Sequence, residues 1–391
     1  MTEAPKKLLT LKGKGPMENS RECVLDVLEG RLPDRPPLYD CIRNDAVINH
    51  FSGKTLTVEN ATEVVPRAFP YMADATRPPV RVPYREREEV TEDGRKTVYR
   101  RWTSWCEHYK YASSEAYARA RRSRPLEPGI CTGYALPAEQ MATWNSRKPG
   151  EPWGWTSEEQ EAVNTWVAVQ QEQEAKLGDL FFFWGSPASP DLMLLFEEVG
   201  IEHFSYYLAD CPEVISDTLE LQTARSVAII EHVPEISCPT AVFLADDIAF
   251  KTGTICSPVW MRSEYFPRLK RVIDAWHRRG TKVLFHSDGN LMLILDDLVE
   301  AGIDGLNPIE VMAGMNVGEI HRRHPHLFMC GGIDVSQLLP FATPQDVHDA
   351  TIKAIEEGEG RLMVGSTTEV HEAVPLQNYL AMRETVLDYR Y

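Results

Sequence analysis

Lys282-Val-Leu-Phe-His286-Ser-Asp288-Gly-Asn290 is an apolar run that stops at a histidine and then turns polar. Runs of the same kind recur at 180–184, 240–245, 303–306, 327–330 and 361–364. Helical patterns separate them. Residues 261–279 place Tyr265, Leu269, Val272, Ile273 and Trp276 on one face, and 291–301 do the same with Leu291, Ile294, Leu295 and Leu298. Continuous apolar runs alternating with amphipathic helices predict a parallel sheet covered on both faces. With Pro36-Pro37-Leu38-Tyr39-Asp40 as a first strand and one strand still to be placed, the count reaches eight. The expected fold is therefore an α/β (β/α)₈ barrel. The rival, a doubly wound open sheet, would carry a glycine-rich loop after an early strand, and the sequence has none.

Outward from this repeat the chain reads as one barrel domain over 18–391, preceded by a flexible Lys/Gly/Pro-rich stretch at 1–17. Ser20 to Glu29 reads as a helix with Val24, Leu25, Val27 and Leu28 on its apolar side and Gly30 closing it. Residues 80–105 alternate apolar and polar around Glu92-Asp93-Gly94, which predicts an antiparallel hairpin. They open an insertion or lid region at about 80–160.

The 391 residues carry a formal charge of −17. That balance argues against nucleic-acid or anionic-membrane partners, which attract positive surfaces. No apolar run reaches the ~20 residues of a membrane span, and the N-terminus does not read as a secretory signal. Eight cysteines without a CxxC pattern predict free thiols in a reducing cytoplasm. A small-molecule substrate is expected, and a homo-oligomer is left open.

In such a barrel, function collects where strands end. After 240–245 come Asp246 and Asp247; after 282–285, His286 and Asp288; after 303–306, Asn307 and Glu310. Asp334 follows Gly331-Gly332, Glu369 and His371 follow the last strand, and Arg43 follows the first. Carboxylates gathered this densely are costly unless a cation or a proton offsets them. His286-x-Asp288 offers nitrogen and oxygen ligands to a divalent metal, or an acid–base pair. Of Asp246 and Asp247, adjacent on a strand, one must face away and hold a loop. Asp334 reads better as a helix cap, and Asp346-Val347-His348 likewise opens a helix. Trp144, Trp153, Trp155 and Trp166 are candidates to cover an apolar substrate, though packing is the commoner fate of tryptophan.

Taken together, Phe285-His-Ser-Asp-Gly-Asn290, Glu300 to Glu310, Ala313-Gly-Met-Asn316, Gly331-Gly-Ile-Asp334 and Val374-Pro-Leu-Gln-Asn378 resemble the uroporphyrinogen decarboxylase superfamily. Ala245-Asp-Asp-Ile248, Ile255-Cys-Ser-Pro258, Arg21-Glu-Cys-Val-Leu25 and Pro33-Asp-Arg-Pro36 extend the likeness over about 18–391. The resemblance implies a (β/α)₈ barrel. True decarboxylases of this superfamily carry Arg-Gln-Ala-Gly-Arg after the first strand to hold a porphyrinogen's carboxylates. Here the segment is Cys41-Ile-Arg43-Asn-Asp45, with one arginine, so a porphyrinogen is not the expected substrate.

The likeness is closer to the cobalamin-dependent methyltransferase branch, which holds zinc through His-x-Cys and a later cysteine. His286 matches the first position, Asp288 replaces the second, Thr368 the third, and Glu369 is retained. The resemblance thus implies a harder ligand set of His286, Asp288 and Glu369 for zinc or another divalent metal. His286, Asp288 and Asp247 become the expected catalytic residues, and Arg43, Asn307, Glu310 and Trp184 the expected substrate contacts. The implied reaction demethylates a small methoxylated or methylated compound and passes the methyl group to a corrinoid on a separate corrinoid protein. The alternative is a decarboxylase or lyase acting on a small carboxylate, with Arg43 as clamp.

Overall fold

The computed structural model describes residues 17–90, 96–108, 111–123, 147–151 and 153–391. Eight parallel strands form a closed ring. They are β1 (residues 38–39), β2 (Ala75–Thr76), β3 (Phe181–Phe182 and Trp184–Gly185), β4 (Ala241–Ala245), β5 (Lys282–His286), β6 (Gly305–Ile309), β7 (Phe328–Ile333) and β8 (Leu362–Ser366). β3 through β8 pair in chain order. The ring then closes through single bridges, Leu38 to Val364 and Tyr39 to Ala75, and through Ala75 and Thr76 on Phe181 and Phe182. The (β/α)₈ expectation holds, and the strand that the sequence left unplaced is β2.

Side chains alternate along each strand, and this decides what the barrel contains. Tyr39, Ala75, Phe181, Phe183, Ala241, Phe243, Leu284, Phe328, Cys330 and Met363 fill the interior together. The helix Ser20–Glu29 plugs one end with Val24, Val27 and Leu28, which join the same cluster. Gly30 ends that helix at φ 77°, as its sequence position implied. The opposite parity, including Val242, Leu244, Val283 and Phe285, packs against the outer helices in the larger cluster. The helical pattern at 261–279 is realised as a π-type turn at Met261–Tyr265 running into Phe266–Arg278.

Polar groups secure the narrow side of the ring. Asp74, fully buried before β2, accepts from Arg35 Nη1 and Nη2 (both 2.7 Å), Ser20 Oγ (2.6 Å) and the Leu38 amide (2.8 Å). One carboxylate thus joins the plug helix, β1 and β2. On the other flank of β1, Gly365 lets the Tyr39 carbonyl approach so closely that a Cβ there would lie 1.9 Å from its oxygen.

The expected hairpin is a three-stranded antiparallel sheet, Arg87–Val90, Lys96–Tyr99 and Ser104–Cys106. It starts later than the alternation at 80 suggested, and its first turn, with the predicted Glu92-Asp93-Gly94, lies outside the described residues, as do 1–16 and much of 110–160. Among the described residues, no helix is long and apolar enough to cross a membrane.

Candidate active site

Alternation carries the barrel interior up to its rim. Ala241, Phe243 and Ala245 face inward along β4, so Asp247 follows them toward the mouth and Asp246 points away. Asp246 is fully buried. It accepts from the Leu192 and Met193 amides (3.1 and 2.7 Å) and from Tyr265 OH (2.9 Å), anchoring the start of the helix Leu192–Val199. Burial and the nearby Asp191 carboxyl push its pKa up to about 7. The predicted division of labour between the two aspartates is what the structure shows. Along β5 the same parity takes Leu284, His286 and Asp288 to the mouth.

The His286 imidazole is 8% exposed, and its Nδ1 lies 2.7 Å from Asn307 Oδ1. The Asn307 amide nitrogen faces the Cys330 carbonyl at 3.4 Å. Its oxygen therefore faces the ring, and Nδ1 carries the proton. Nε2 then turns its lone pair toward Asp247 Oδ1 (3.7 Å) and Asp288 Oδ1 (3.9 Å). Three electron-rich atoms facing one another repel unless a cation or a second proton lies among them. The ligand atoms of Asp247, His286 and Asp288 all fall within 4.8 Å of one another. A tetrahedral ion with bonds of ~2.1 Å holds its ligands about 3.4 Å apart, close to the separations found. One imidazole and two carboxylates suit a borderline or hard divalent ion and leave coordination positions for substrate. Burial, with the Asp247 and Glu310 charges alongside, raises the Asp288 pKa, and the nearby imidazole opposes this.

The remaining predicted residues fall elsewhere. Asn307 lies within β6 and orients His286 through its amide. Glu310 accepts the Gly289 amide (2.7 Å) and so holds the loop after β5. That loop needs glycine, because Gly289 has φ 93° and a Cβ would meet the Ala249 carbonyl carbon at 2.6 Å. Glu369 pairs with Arg43 (2.5 Å), so Asp247 stands where the sequence placed Glu369 in the metal set. Before it, Thr368 adopts φ 127°, a backbone turn unusual for a β-branched residue, with its hydroxyl 3.5 Å from Asp288 Oδ1. Trp184 is placed away from the His286 cluster. Phe181 and Phe183 take the inward parity of β3, so Trp184 faces outward, donating to Glu174 (2.9 Å) and meeting Trp166 edge-on. Asp334 caps the segment that follows it, accepting from the Ser336, Gln337 and Leu338 amides. Thr343 and Asp346 form a capping box at the helix Pro344–Gly358, as that motif suggested.

A cavity of about 340 Å³ opens beside the cluster, lined by Phe243, Ala245, Asp247 and His286 and also by Arg43, Arg77 and Arg81. Arg77 and Arg81 were missed in the sequence. Their signal was two arginines flanking Pro78-Pro79-Val80 directly after Ala75-Thr76, a strand too short to recognise by periodicity.

Residues 179–389, more than half of the chain, match the family model described as uroporphyrinogen decarboxylase (URO-D). The chain belongs to the uroporphyrinogen decarboxylase family. Its barrel is shared with a methyltransferase from Methanosarcina mazei, with a TM-score of 0.61 at 14% identity over 94% of this chain and 98% of that one. A B12-independent methionine synthase from Shewanella sp. W3-18-1 aligns at 12% identity over 57% of this chain and 65% of its own, with a TM-score of 0.36. No curated protein matches the sequence. Within the uroporphyrinogen decarboxylase fold, the Asp247–His286–Asp288 cluster occupies the C-terminal strand ends where barrel enzymes place their chemistry.

Asp40, in the same rim, accepts from the Cys41 amide, the Ser366 amide and Ser366 Oγ, stitching β1 to β8. Burial raises its pKa from 3.8 to about 7. Between these values the folded chain keeps a proton that the unfolded chain has released. Its stabilising share is therefore complete below about pH 4 and is lost as pH rises toward 7. The Asp40→Asn variant is expected to reduce the loss of stability between pH 5 and pH 8 by about 2–3 kcal/mol. Urea unfolding at the two pH values checks this, and an unchanged pH difference would refute the assignment.

Proposed function

We propose that this protein is a methyltransferase-like enzyme. It removes a methyl group from a small methoxylated or methylated compound and passes it to a corrinoid carried by a separate protein. The observation that carries the reading is the cluster of Asp247, His286 and Asp288, its imidazole lone pair aimed at two carboxylates beside a cavity. As the bond to methyl breaks, the substrate heteroatom keeps the electron pair and needs positive charge or a proton beside it. A divalent cation held by the three side chains would supply Lewis acidity at that point. Asn307 fixes the tautomer of His286, the Asp288 amide steadies Asp247 by donating to it (2.9 Å), and Glu310 holds the loop that carries Asp288. The fold shared with the Methanosarcina methyltransferase supports the reading.

The test is to incubate the purified protein with cob(I)alamin and a panel of methoxyarenes, methoxy acids and methylamines. Methylcobalamin is expected to form from at least one class, and none from any would overturn the reading. A second reading, a carboxy-lyase, draws on Arg43 in the cavity wall and on the family itself. Carbon dioxide release without any corrinoid would identify it.

A further inference from the structure

The arginines of the cavity differ in how their charge is met. Arg43 is neutralised by Glu369 at 2.5 Å. Arg77 and Arg81 enter no ion pair among the described residues. Arg77 donates to its neighbour's carbonyl, Pro78 O, at 3.2 Å, and its guanidinium carbon lies 4.2 Å from the Phe243 ring centroid. The buried Nε of Arg81 has no hydrogen-bond partner. The three charges lie close enough to act on one another. Burial lowers the Arg43 pKa, Glu369 opposes this, and the neighbouring Arg81 and Arg77 charges lower it further. A guanidinium is seldom left desolvated without an anion, because the lost hydration goes uncompensated.

The nearby carboxylates act on Arg77 only from a distance: Glu369 and Asp288 favour its charged form, but neither forms an ion pair with it, and Glu369 is taken by Arg43. Asp247 and Asp288 converge on His286, where a divalent ion would balance them, and Glu310 is engaged by the Gly289 amide. What remains is a surplus of two planar, forked donors in the wall of the same cavity. They are not remote from the chemistry. The Phe243 ring that carries Arg77 has its centroid 5.0 Å from the His286 ring centroid. One small molecule can touch both.

We infer that Arg77 and Arg81 anchor a carboxylate of the substrate, so that the compound taken is a small methylated carboxylic acid and not a neutral methyl ether or amine. The inference rests on the proposed function for the methyl group, but the anchor itself is a binding site and can be tested without turnover. Phe243 gives the anchored acid an apolar face to lie against, and guanidinium forks bind carboxylates through paired hydrogen bonds. Arg81 stands between β2 and the antiparallel sheet that begins at Arg87.

Isothermal titration calorimetry on the full chain tests this. The probes are 4-methoxybenzoate, methoxyacetate and N,N-dimethylglycine, with anisole, dimethoxymethane and trimethylamine as counterparts lacking the carboxylate, and inorganic phosphate as a different anion. At least one acid is expected to bind ten-fold or more tighter than its counterpart and than phosphate. Arg77→Met and Arg81→Gln should each weaken that acid at least ten-fold, with thermal melts confirming that the variants fold. Arg81→Lys should retain part of the affinity. Absence of any preference for an acid, including no binding by any of the three, overturns the anchor, as does unchanged affinity in both variants. Tighter phosphate binding overturns the carboxylate assignment. Acid binding without methylcobalamin formation would leave the anchor standing and remove the methyl-transfer reading. Equal methylcobalamin formation from acids and neutral counterparts would do the reverse.

Discussion

Replacing His286 by alanine is expected to lower turnover by about 10²–10⁴-fold, the range a positioned acid–base or metal-holding group contributes. It should also abolish divalent-ion uptake at the mouth of the barrel. The argument is geometric. The imidazole nitrogen is the neutral donor that faces both carboxylates, so removing it leaves Asp247, tethered to the Asp288 amide, and Asp288 without the third ligand atom of the set. Asp288→Asn should act in the same direction, because it removes one negative charge from the set.

Asn307→Ala offers a milder version. The ligand remains, but the amide that fixes its tautomer is lost, and metal affinity should fall by about 10–100-fold. Competition with a chromophoric chelator measures all three, and elemental analysis of the protein as purified adds an independent count. A His286→Ala protein that takes up zinc as tightly as the parent would sink the assignment.

The second large effect concerns stability. Asp74→Ala should cost about 3–5 kcal/mol, the penalty for stranding one partner of a buried ion pair. Arg35, with a side chain only 7% exposed, would lose its counter-ion, and the Leu38 amide and Ser20 hydroxyl would lose their acceptor. At about 2.1 cal/mol/K of unfolding entropy per residue, a barrel of this size shifts by roughly 1.3 °C per kcal/mol, so the melting temperature should fall by about 4–6 °C. Differential scanning calorimetry reads the shift directly. A loss under about 1 kcal/mol, the value typical of an exposed pair, would show that Asp74 does not secure the ring.

The sequence revealed the barrel wherever a strand was long enough to bury both faces. Six apolar runs were readable because each strand from β3 to β8 packs against its neighbours and against helices. β2 escaped because two residues, Ala75 and Thr76, suffice for its pairing and leave no period to detect. β6 was placed too early: Asn307 and Pro308 look like a turn, yet the strand runs on through Ile309, which is how Asn307 comes to face His286. His286, Asp288 and Asp247 were legible because period-two alternation predicts which residues reach a barrel's rim. Glu369 and Trp184 are placed away from the His286 cluster for different reasons. Glu369 is diverted by an arginine far away in sequence, and Trp184 lies on the outer parity of its strand. Arg77 and Arg81 carry the cationic wall of the cavity, but isolated arginines beside prolines look the same whether they face solvent or a substrate.

The closing of the ring by single bridges has a dynamic consequence. A seam held by the isolated bridges Leu38–Val364, Tyr39–Ala75 and Ile42–Val370 has a broken ladder of backbone hydrogen bonds, whereas β5 is paired along its whole length with β4. Amide exchange should therefore open at β1 and β2 well before β4 and β5, since local opening follows the weakest set of bonds. Arg43 leaves the barrel from β1, and Arg77 and Arg81 from β2, whereas Asp247, His286 and Asp288 leave it from β4 and β5. Such opening is expected to shift the cationic wall before it reaches the His286 cluster. On that expectation the cavity has a looser side and a firmer side, and amide exchange as slow at Tyr39 and Ala75 as at Phe243 and Phe285 would refute it.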